Sequence, residues 1–294
     1  MNVLEEVLKY KDYAIGLRRH FHKYPELSWK EYETAARIRQ ELTEMGIPYI
    51  AVAETGTIAT IQGKREKPVI GLRCDIDALP IREIKDLPYK SVKDGVMHAC
   101  GHDAHIAMLL LAAKVLSEHR DQIHCTVKLI FQPAEEALTG ALRMIDSGLL
   151  DELDTVAGMH IFPYLPSGTI SVEEGPRYTS AGFMNIKIIG KSGHGAMPQF
   201  VVDPIYVGAK VVDALQSLVS REINPNDTAV VQLCAVRVGC AGRRMVGRRE
   251  LMPAVAILDH GCSSSRFALP AFKFQYCYMV SDEPVTSVPP AYGR

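Results

Sequence analysis

The sequence predicts an α/β protein with a mostly parallel sheet, followed by part of a second, α+β domain. Three short continuous apolar runs, at Val69–Cys74, Thr126–Phe131 and Thr155–Met159, indicate buried strands, and segments with helical periodicity lie between them. Beyond Gly175-Pro176 the pattern changes to the apolar/polar alternation of Met184–Ile188, which is typical of a sheet with one solvated face. These two patterns predict two different kinds of domain in one chain.

The length of 294 residues suits about two domains and a sizeable core. We predict a first domain over residues 1–178, part of a second over 179–237, and an atypical, partly disordered tail over 238–294. The tail begins with an Arg/Gly-rich stretch without a clear period and ends in the proline-containing segment Ser281–Arg294. A small nucleic-acid or acidic-partner patch in that basic stretch is the weaker interpretation, because aromatic residues are not interleaved with the arginines.

Charge and cysteine content restrict the class of function. With 33 Lys+Arg against 34 Asp+Glu, the chain has no basic bias of the kind that marks nucleic-acid or anionic-membrane partners, so we expect small-molecule or protein partners. The apolar runs fall short of the roughly 20 residues that a membrane-spanning helix needs. Seven irregularly spaced cysteines and an N-terminus without a signal-peptide pattern predict a cytoplasmic protein.

Helical periodicity and stop signals predict two helical segments before the first strand. The first segment stops before Pro25, and a second helix covers about residues 30–45. His20 and His22 lie two positions apart on the first segment and therefore point apart on a helix. We expect these two histidines to pack rather than to bind a metal.

Two later helices have clearer signatures. A helix follows Asp103, with a core-facing stripe made of Ile106, Leu109, Leu110, Ala113 and Leu116. In the second domain, Asp203 as N-cap and Pro204 at the first helical position start a helix that runs to about Arg221. Its predicted inward residues are Ile205, Val212, Leu215 and Val219, and a strand at Ala229–Val236 follows it.

The stretch from Met97 to His105 contains a thiol, three imidazoles and a carboxylate within nine residues. Cys100 and His102 are separated by one glycine, so both side chains can offer donor atoms to one cation where the loop enters a helix N-terminus. The alternative is a buried Cys that acts as a small hydrophobe beside packed histidines. The density of donors favours a metal site.

Three predicted strands end in further metal-binding residue types. Asp75 and Asp77 follow the first strand, where they either contribute to a ligand crevice or cap a turn before Pro80; we weigh these equally. Two adjacent glutamates, Glu135 and Glu136, follow the second strand, and His160 follows the third. A solvated turn is the usual fate of such a glutamate pair, but here one can ligate a metal while its neighbour acts as a general base.

Six motifs together resemble the M20 metallopeptidase family. Within it they resemble the amidohydrolase branch of hippurate hydrolases, bacterial N-acyl-amino-acid deacylases and plant auxin-conjugate hydrolases. The resemblance runs from about Arg18 to Arg237, and each motif alone would be weak. The motifs are Arg19–Leu27, Asp75–Pro80, His98–His105, Gln132–Glu136, Gly158–His160 and Gly193–Pro198.

The resemblance implies a three-layer, zinc-peptidase-like catalytic domain interrupted in sequence by an α+β lid that forms a homodimer. It implies two divalent metal ions, manganese or zinc, and the residues that match the family's ligands are Cys100, His102, Glu136 and His160. Glu135 matches the general base, and Asp75 and Asp77 match acidic residues that orient the ligands. His194 matches a histidine that reaches from the smaller domain of a partner subunit to polarise the scissile carbonyl.

The implied reaction is hydrolysis of the amide bond of an N-acyl or aryl-acyl amino acid. An amide resists water, so the site must activate water, polarise the carbonyl and protonate the leaving amine, which two metals and a glutamate can do. Two alternatives stay open at this point. One is a catalytically impaired remnant of such an enzyme, and the other is a dipeptidase of the same family.

Beyond Arg237 the sequence departs from the family pattern, in which a last histidine ligand lies in the returning catalytic domain. His260 is the only histidine after His194, and its setting does not match that ligand. We expect that the reading frame or the gene end was lost near Arg237, in which case hydrolysis would be weak or absent. A divergent but functional tail is the alternative.

Overall fold

A computed structural model describes residues 2–172, 180–191, 193–227, 229–236, 254–259 and 276–278. The chain divides into two compact units, Met1–Thr169 and Ile170–Arg294, each with its own sheet. The first domain was predicted to end at residue 178, nine residues after Thr169. Most of the predicted tail, including His260 and Ser281–Arg294, lies outside the described residues. Within the described part, none of the helices combines the length and the apolar character that a bilayer crossing requires.

The described part of the first unit begins with three helices and then three strands, after which helices and strands alternate. The helices are α1 (Val3–Lys9), α2 (Lys11–Lys23), α3 (Tyr32–Glu44), α4 (His102–Glu118) and α5 (Gly140–Ile145). The strands are β1 (Tyr49–Val52), β2 (Gly56–Gln62), β3 (Val69–Asp75), β4 (Thr126–Gln132) and β5 (Thr155–Gly158). A short 3-10 turn, Arg120–Gln122, follows α4.

The three predicted apolar runs form β3, β4 and β5, and they pair in parallel with β3 in the middle. The register aligns Leu72 with Leu129 of β4 and with Ala157 of β5, so the carboxyl ends of the three strands lie side by side. The sequence analysis assigned no element to β1 and β2, which form an antiparallel hairpin on the other side of β4. The α/β class is confirmed, and the sheet is mixed, with its parallel half carrying the predicted site.

The core of the first unit has three layers because β4 is buried on both faces. Its residues Val127, Leu129 and Phe131 face the cluster formed by α2, α3 and α4, whereas Ile130 faces Met144 of α5. The predicted stripe of α4 is confirmed: Ile106, Leu109, Leu110 and Ala113 are buried, and Leu116 packs against them. Full burial of one such aliphatic side chain contributes roughly 1.5–3 kcal/mol, which anchors the helix that carries His102.

The second unit contains an antiparallel sheet with one helix packed against it. The strands are β6 (Ser180–Asn185), β7 (Ala229–Ala235), β8 (Ala254–Asp259) and β9 (Tyr276–Tyr278), in the spatial order β7-β8-β6-β9. Helix α6 (Pro204–Arg221) starts as predicted, since the Ile205 N–H donates to Asp203 Oδ1 at 2.9 Å. Its core cluster includes Ile186 and Ile188 from the predicted alternating segment.

The predicted inward face of α6 is correct at one position. Leu215 is buried and Val212 is only partly buried, whereas Ile205 and Val219 are exposed; the helix instead buries Val211 next to partly buried Val207. Apolar residues lie around most of this helix, so periodicity alone does not decide which of two overlapping stripes packs against the sheet.

Candidate metal centre

The predicted donor residues of the first unit converge at the carboxyl ends of three adjacent parallel strands. Asp75 ends β3, Glu135 follows β4 and His160 follows β5, in keeping with the crevice that parallel sheets form at this edge. Cys100 and His102 reach the same place from the start of α4. Parallel pairing therefore brings together residues that are far apart in sequence.

His102 is completely buried, and its hydrogen bonds leave one ring nitrogen free. The Nδ1–H donates to the Asp77 carbonyl oxygen at 2.9 Å, which leaves the lone pair on Nε2. Nε2 has no hydrogen-bond partner, and it lies 3.6 Å from Asp75 Oδ1, 3.8 Å from Glu135 Oε2 and 3.9 Å from Glu136 Oε1. A buried nitrogen surrounded by carboxylates is the arrangement that a cation ligand needs.

His160 and Cys100 form a second pair of donors next to His102. The His160 Nδ1–H donates to the Ile161 carbonyl oxygen at 2.7 Å, and Nε2 lies 3.3 Å from Cys100 Sγ. Gly101, between Cys100 and His102, has φ +91°, which an L side chain rarely adopts. A Cβ at this position would also lie 2.3 Å from Ile161 Cδ1, so a larger residue would have to displace the Ile161 side chain.

Asp77 contacts two of the candidate ligands, His102 and Glu136. Its Oδ1 lies 3.3 Å from His102 Nδ1, and its Oδ2 accepts from the Ser28 hydroxyl at 2.6 Å and from the Glu136 N–H at 3.0 Å. The backbone carbonyl of Asp77 thus holds His102, and its fully buried carboxylate holds the backbone of the glutamate pair. These contacts favour the ligand-orienting interpretation of Asp77 over a simple turn cap.

Glu31 holds the segment that precedes the glutamate pair. This side chain is completely buried; its Oε1 accepts from the Ala134 N–H at 2.8 Å and its Oε2 accepts from the Thr55 hydroxyl at 2.7 Å. Ala134 has φ +48°, an unusual conformation for a residue with a Cβ. The hydrogen bond to Glu31 stabilises this turn, which directs Glu135 and Glu136 toward His102.

Asp75 is the centre of a second buried network. Its Oδ2 accepts from Arg73 Nη1 at 2.9 Å, and its Oδ1 accepts from His105 Nδ1 at 2.6 Å. Arg73 Nε also donates to Gln132 Oε1 at 2.9 Å, at the end of the neighbouring strand. His105 Nε2 in turn accepts the Ile161 N–H at 3.0 Å.

A third network fixes the first turn of α4. The buried ring of His22 bridges Asp103 Oδ2 at 2.9 Å and Glu83 Oε1 at 3.1 Å, and Arg18 Nε also donates to Asp103 at 3.2 Å. Asp103 follows His102 directly. The expectation that His22 packs is confirmed: its ring is buried, and its partners are two carboxylates.

The pKa values show how strongly these charges interact. Burial alone would raise the pKa of Asp75, but the hydrogen bond from His105 and the charges of His102 and Arg73 lower it to about 2. Burial alone would lower the pKa of His102, but hydrogen bonds and the charges of nearby carboxylates raise it to about 11. Burial raises the pKa of both Glu135 and Glu136. The potential that draws a proton to His102 Nε2 equally favours a metal cation in its place.

Three groups of side chains have donor atoms within 4.8 Å of one another, and all three include His102: Cys100, His102 and His160; Asp75, His102 and His105; His102, Glu135 and Glu136. Since one imidazole nitrogen binds one ion, these groups are parts of one centre. Six buried side-chain atoms of the described residues have no hydrogen-bond partner, and two of them, His102 Nε2 and Glu136 Oε1, are candidate donor atoms of this centre. A mixed set of thiolate, imidazole and carboxylate donors fits zinc or manganese.

His194 belongs to the second unit, so the structure does not place it with the other predicted residues. Its exposed side chain lies in a turn where Nδ1 accepts the Ala196 N–H at 3.1 Å, which leaves the ring proton on Nε2. A Cβ on Gly193 would lie 2.4 Å from a methyl group of Val201, so a larger residue there would have to displace that side chain. The ring is thereby oriented as a hydrogen-bond donor.

Sequence reasoning missed the residues that support the ligands. It did not identify Ser28, Glu31 or Arg73, and it gave His105 no role. His105 has a usable signal, because it lies three residues after His102 on the same helix face. Nothing local distinguishes the other three from ordinary polar residues.

Known proteins resemble this chain over most of its length. The model of peptidase family M20/M25/M40 matches residues 71–287, a range that begins within β3 and extends past Arg237. The chain is 43% identical over 231 residues to IAA-amino acid hydrolase ILR1-like 4 of Arabidopsis thaliana, which covers 78% of this chain and 52% of that protein. It is 44% identical over 239 residues to N-acetylcysteine deacetylase of Bacillus subtilis, covering 81% and 63% respectively.

A solved structure resembles this one as well. The crystal structure of a dinuclear metal-binding peptidase of the M20 family from Bacillus subtilis superposes with a TM-score of 0.65 at 36% identity. The match covers 85% of this chain and 64% of that protein. The chain therefore spans about half to two thirds of the length of these relatives.

Proposed function

The chain belongs to peptidase family M20/M25/M40, and from this premise we propose that it is a metal-dependent hydrolase that cleaves the amide bond of N-acyl amino acids. The proposal assigns Glu135 as the general base. It assigns two divalent ions, manganese or zinc, to the ligands Cys100, His102, Glu136 and His160. The names of the relatives support the substrate class, since one is an IAA-amino acid hydrolase and another is an N-acetylcysteine deacetylase.

One observation carries the proposal. His102 Nε2 and Glu136 Oε1 are buried without hydrogen-bond partners 3.9 Å apart, and Glu135 Oε2 lies 3.8 Å from the same nitrogen. Unsatisfied buried polar atoms are costly unless a ligand satisfies them. When bound, divalent ions supply Lewis acidity, which lowers the pKa of water and polarises a carbonyl oxygen.

Glu135 has the position that a proton carrier needs. Its side chain is about one third exposed, whereas His102 beside it is completely buried, so Glu135 lies at the boundary between centre and solvent. In the proposed reaction its carboxylate takes a proton from water as the hydroxyl oxygen bonds to the carbonyl carbon. The same proton then passes to the amine nitrogen as the C–N bond breaks, so the products are a carboxylic acid and a free amino acid.

We assign His194 as the group that donates a hydrogen bond to the scissile carbonyl, acting from a partner subunit in a homodimer. The support is the Nε2–H tautomer that the Ala196 N–H imposes on its ring. We also assign the protein to the cytoplasm, because Cys100 is a free thiol and must stay reduced to bind metal.

The test of the general base compares Glu135→Gln with the wild-type chain after loading with Mn²⁺ or Zn²⁺. We expect hydrolysis of N-acyl amino acids to fall by at least about a hundredfold, as for loss of a general base, while the metal content is unchanged. Glu5→Gln, at an exposed glutamate of α1, is the matched control and should retain full activity. Equal activity of Glu135→Gln and the wild type, or no hydrolysis by the loaded wild type across a panel of acyl amino acids, would refute the proposal.

The partner role of His194 is tested by mixing two inactive variants. Glu135→Gln and His194→Asn chains are unfolded together and refolded, so that mixed dimers form. A mixed dimer has one site with both an intact Glu135 and an intact His194 from the other chain, so random mixing should restore about a quarter of wild-type activity. If mixing restores no activity although each variant refolds and dimerises, His194 does not act across subunits.

A further inference from the structure

We propose that His105 is a positioning residue that holds the loop after β5, and with it His160, against the end of β3. The inference rests on the proposed metal centre. It concerns how one ligand is held in place and assigns His105 no part in binding the metal itself.

The hydrogen bonds of His105 determine its protonation and exclude it as a ligand. Its Nε2 accepts the Ile161 N–H at 3.0 Å, so the neutral ring carries its proton on Nδ1. That proton is donated to Asp75 Oδ1 at 2.6 Å. Both nitrogens are engaged, so His105 has no lone pair for a cation, although it lies within reach of His102. His105 is 2% exposed, so both contacts are shielded from bulk solvent.

The loop that carries His160 has little packing of its own to hold it in place. All four residues of β5 are exposed, and so are Met159 and His160, so packing fixes this segment weakly. His160 contacts His105 directly, with ring centroids 4.6 Å apart at an interplanar angle of 74°, and indirectly through the Ile161 backbone. His105 thereby sets the position of His160 Nε2 beside Cys100 Sγ.

The hydrogen-bond network that includes His105 connects the carboxyl ends of three strands. Gln132 at the end of β4 accepts from Arg73, Arg73 donates to Asp75 at the end of β3, and Asp75 accepts from His105. His105 then accepts the backbone N–H of Ile161 after β5. The chain of hydrogen bonds thus ties the backbone beside His160 to the two more deeply buried strands of the parallel sheet.

Two variants distinguish the two hydrogen bonds of His105, because each variant can keep only one of them. The amide of Gln reaches the position of Nε2, so His105→Gln can still accept the Ile161 N–H. The amide of Asn reaches the position of Nδ1, so His105→Asn can still donate to Asp75 but releases Ile161. His119→Asn, in the partly buried residue that follows α4, is the control for loss of an imidazole elsewhere.

The experiment titrates each full-length, metal-free variant with Co²⁺ and follows the near-ultraviolet thiolate-to-cobalt absorption, which a Cys100→Ser chain should lack. We expect His105→Asn to bind Co²⁺ about 10- to 100-fold more weakly than wild type, the range for lost support of a metal ligand. His105→Gln and His119→Asn should bind within a few-fold of wild type. Thermal unfolding of the metal-free variants shows whether each one folds.

Equal cobalt affinity in His105→Asn and the wild type would overturn the inference, and so would equal weakening in His105→Gln and His105→Asn. A wild-type chain that binds no Co²⁺ would overturn both this inference and the proposed centre. Normal cobalt binding with the expected order of variants, but no amide hydrolysis, would refute the proposed function and leave the role of His105 standing.

Discussion

Removal of the Glu31 carboxylate tests whether a buried hydrogen bond from α3 supports the catalytic turn. Glu31 lies at the start of α3, and its carboxylate is completely buried between the Ala134 N–H and the Thr55 hydroxyl. The Glu31→Ala change leaves both donors without an acceptor. Because Ala134 directly precedes Glu135, the perturbation should reach the metal centre without altering any proposed ligand.

The magnitude follows from the two orphaned donors. An unsatisfied buried donor costs roughly 1–3 kcal/mol, so two of them cost about 2–6 kcal/mol. Burial raises the pKa of the Glu31 carboxyl, so removing this buried charge offsets part of that loss. We expect the free energy of unfolding to fall by about 2–4 kcal/mol in Glu31→Ala. Glu31→Gln keeps an acceptor for the Ala134 N–H and should lose about 1 kcal/mol.

The assay is urea unfolding in the presence of a chelator, followed by tryptophan fluorescence. The chain has one tryptophan, Trp29, whose Nε1–H donates to Thr139 at 3.1 Å, so the signal reports the first unit. Glu33→Ala, at an exposed position on the same helix, is the matched control and should change stability by less than about 0.5 kcal/mol. If Glu31→Ala unfolds at the same urea concentration as Glu33→Ala, the reasoning about this turn is wrong.

Three further predictions follow from the site. Hydrogen bonds to two carboxylates, foremost Asp103, raise the pKa of His22, so its stabilisation is full below pH 6.5 and is lost as pH rises through the folded-state pKa. His22→Gln should therefore destabilise the chain more near pH 6 than in alkaline buffer, as measured by urea unfolding; an equal loss at both would contradict this. Gly101→Ala should weaken Co²⁺ binding by about tenfold or more because its Cβ displaces Ile161. Gly95→Ala, which has φ +75° but open space around it, should not. Removal of bound metal with a chelator should lower the unfolding midpoint, whereas an unchanged midpoint would argue against the centre.

Most of the parallel part of the fold could be predicted because its signals are local. The apolar runs give β3, β4 and β5 to within about a residue, and a capping pair gives the start of α6. The hairpin of β1 and β2 was missed: β1 is an apolar run of only four residues, and its side chains are mostly exposed, so its pairing with β2 is not a local signal. The packed face of α6 was mostly wrong for a different reason, because its choice depends on the sheet it meets.

The same distinction between local and long-range signals explains which features of the metal centre could be predicted from the sequence. Donor chemistry is local, so a thiol, an imidazole or a pair of carboxylates at a strand end is visible in the sequence. Orientation is not local: Glu31 and Ala134 are 103 residues apart, and His22 and Asp103 are 81 apart. Which nitrogen of His102 is free depends on a backbone carbonyl of Asp77, 25 residues earlier. A ligand set can therefore be predicted from residue types and strand ends. The hydrogen bonds that orient the donor atoms toward one point depend on the fold and cannot be predicted in this way. The Glu31 and His105 variants perturb those hydrogen bonds.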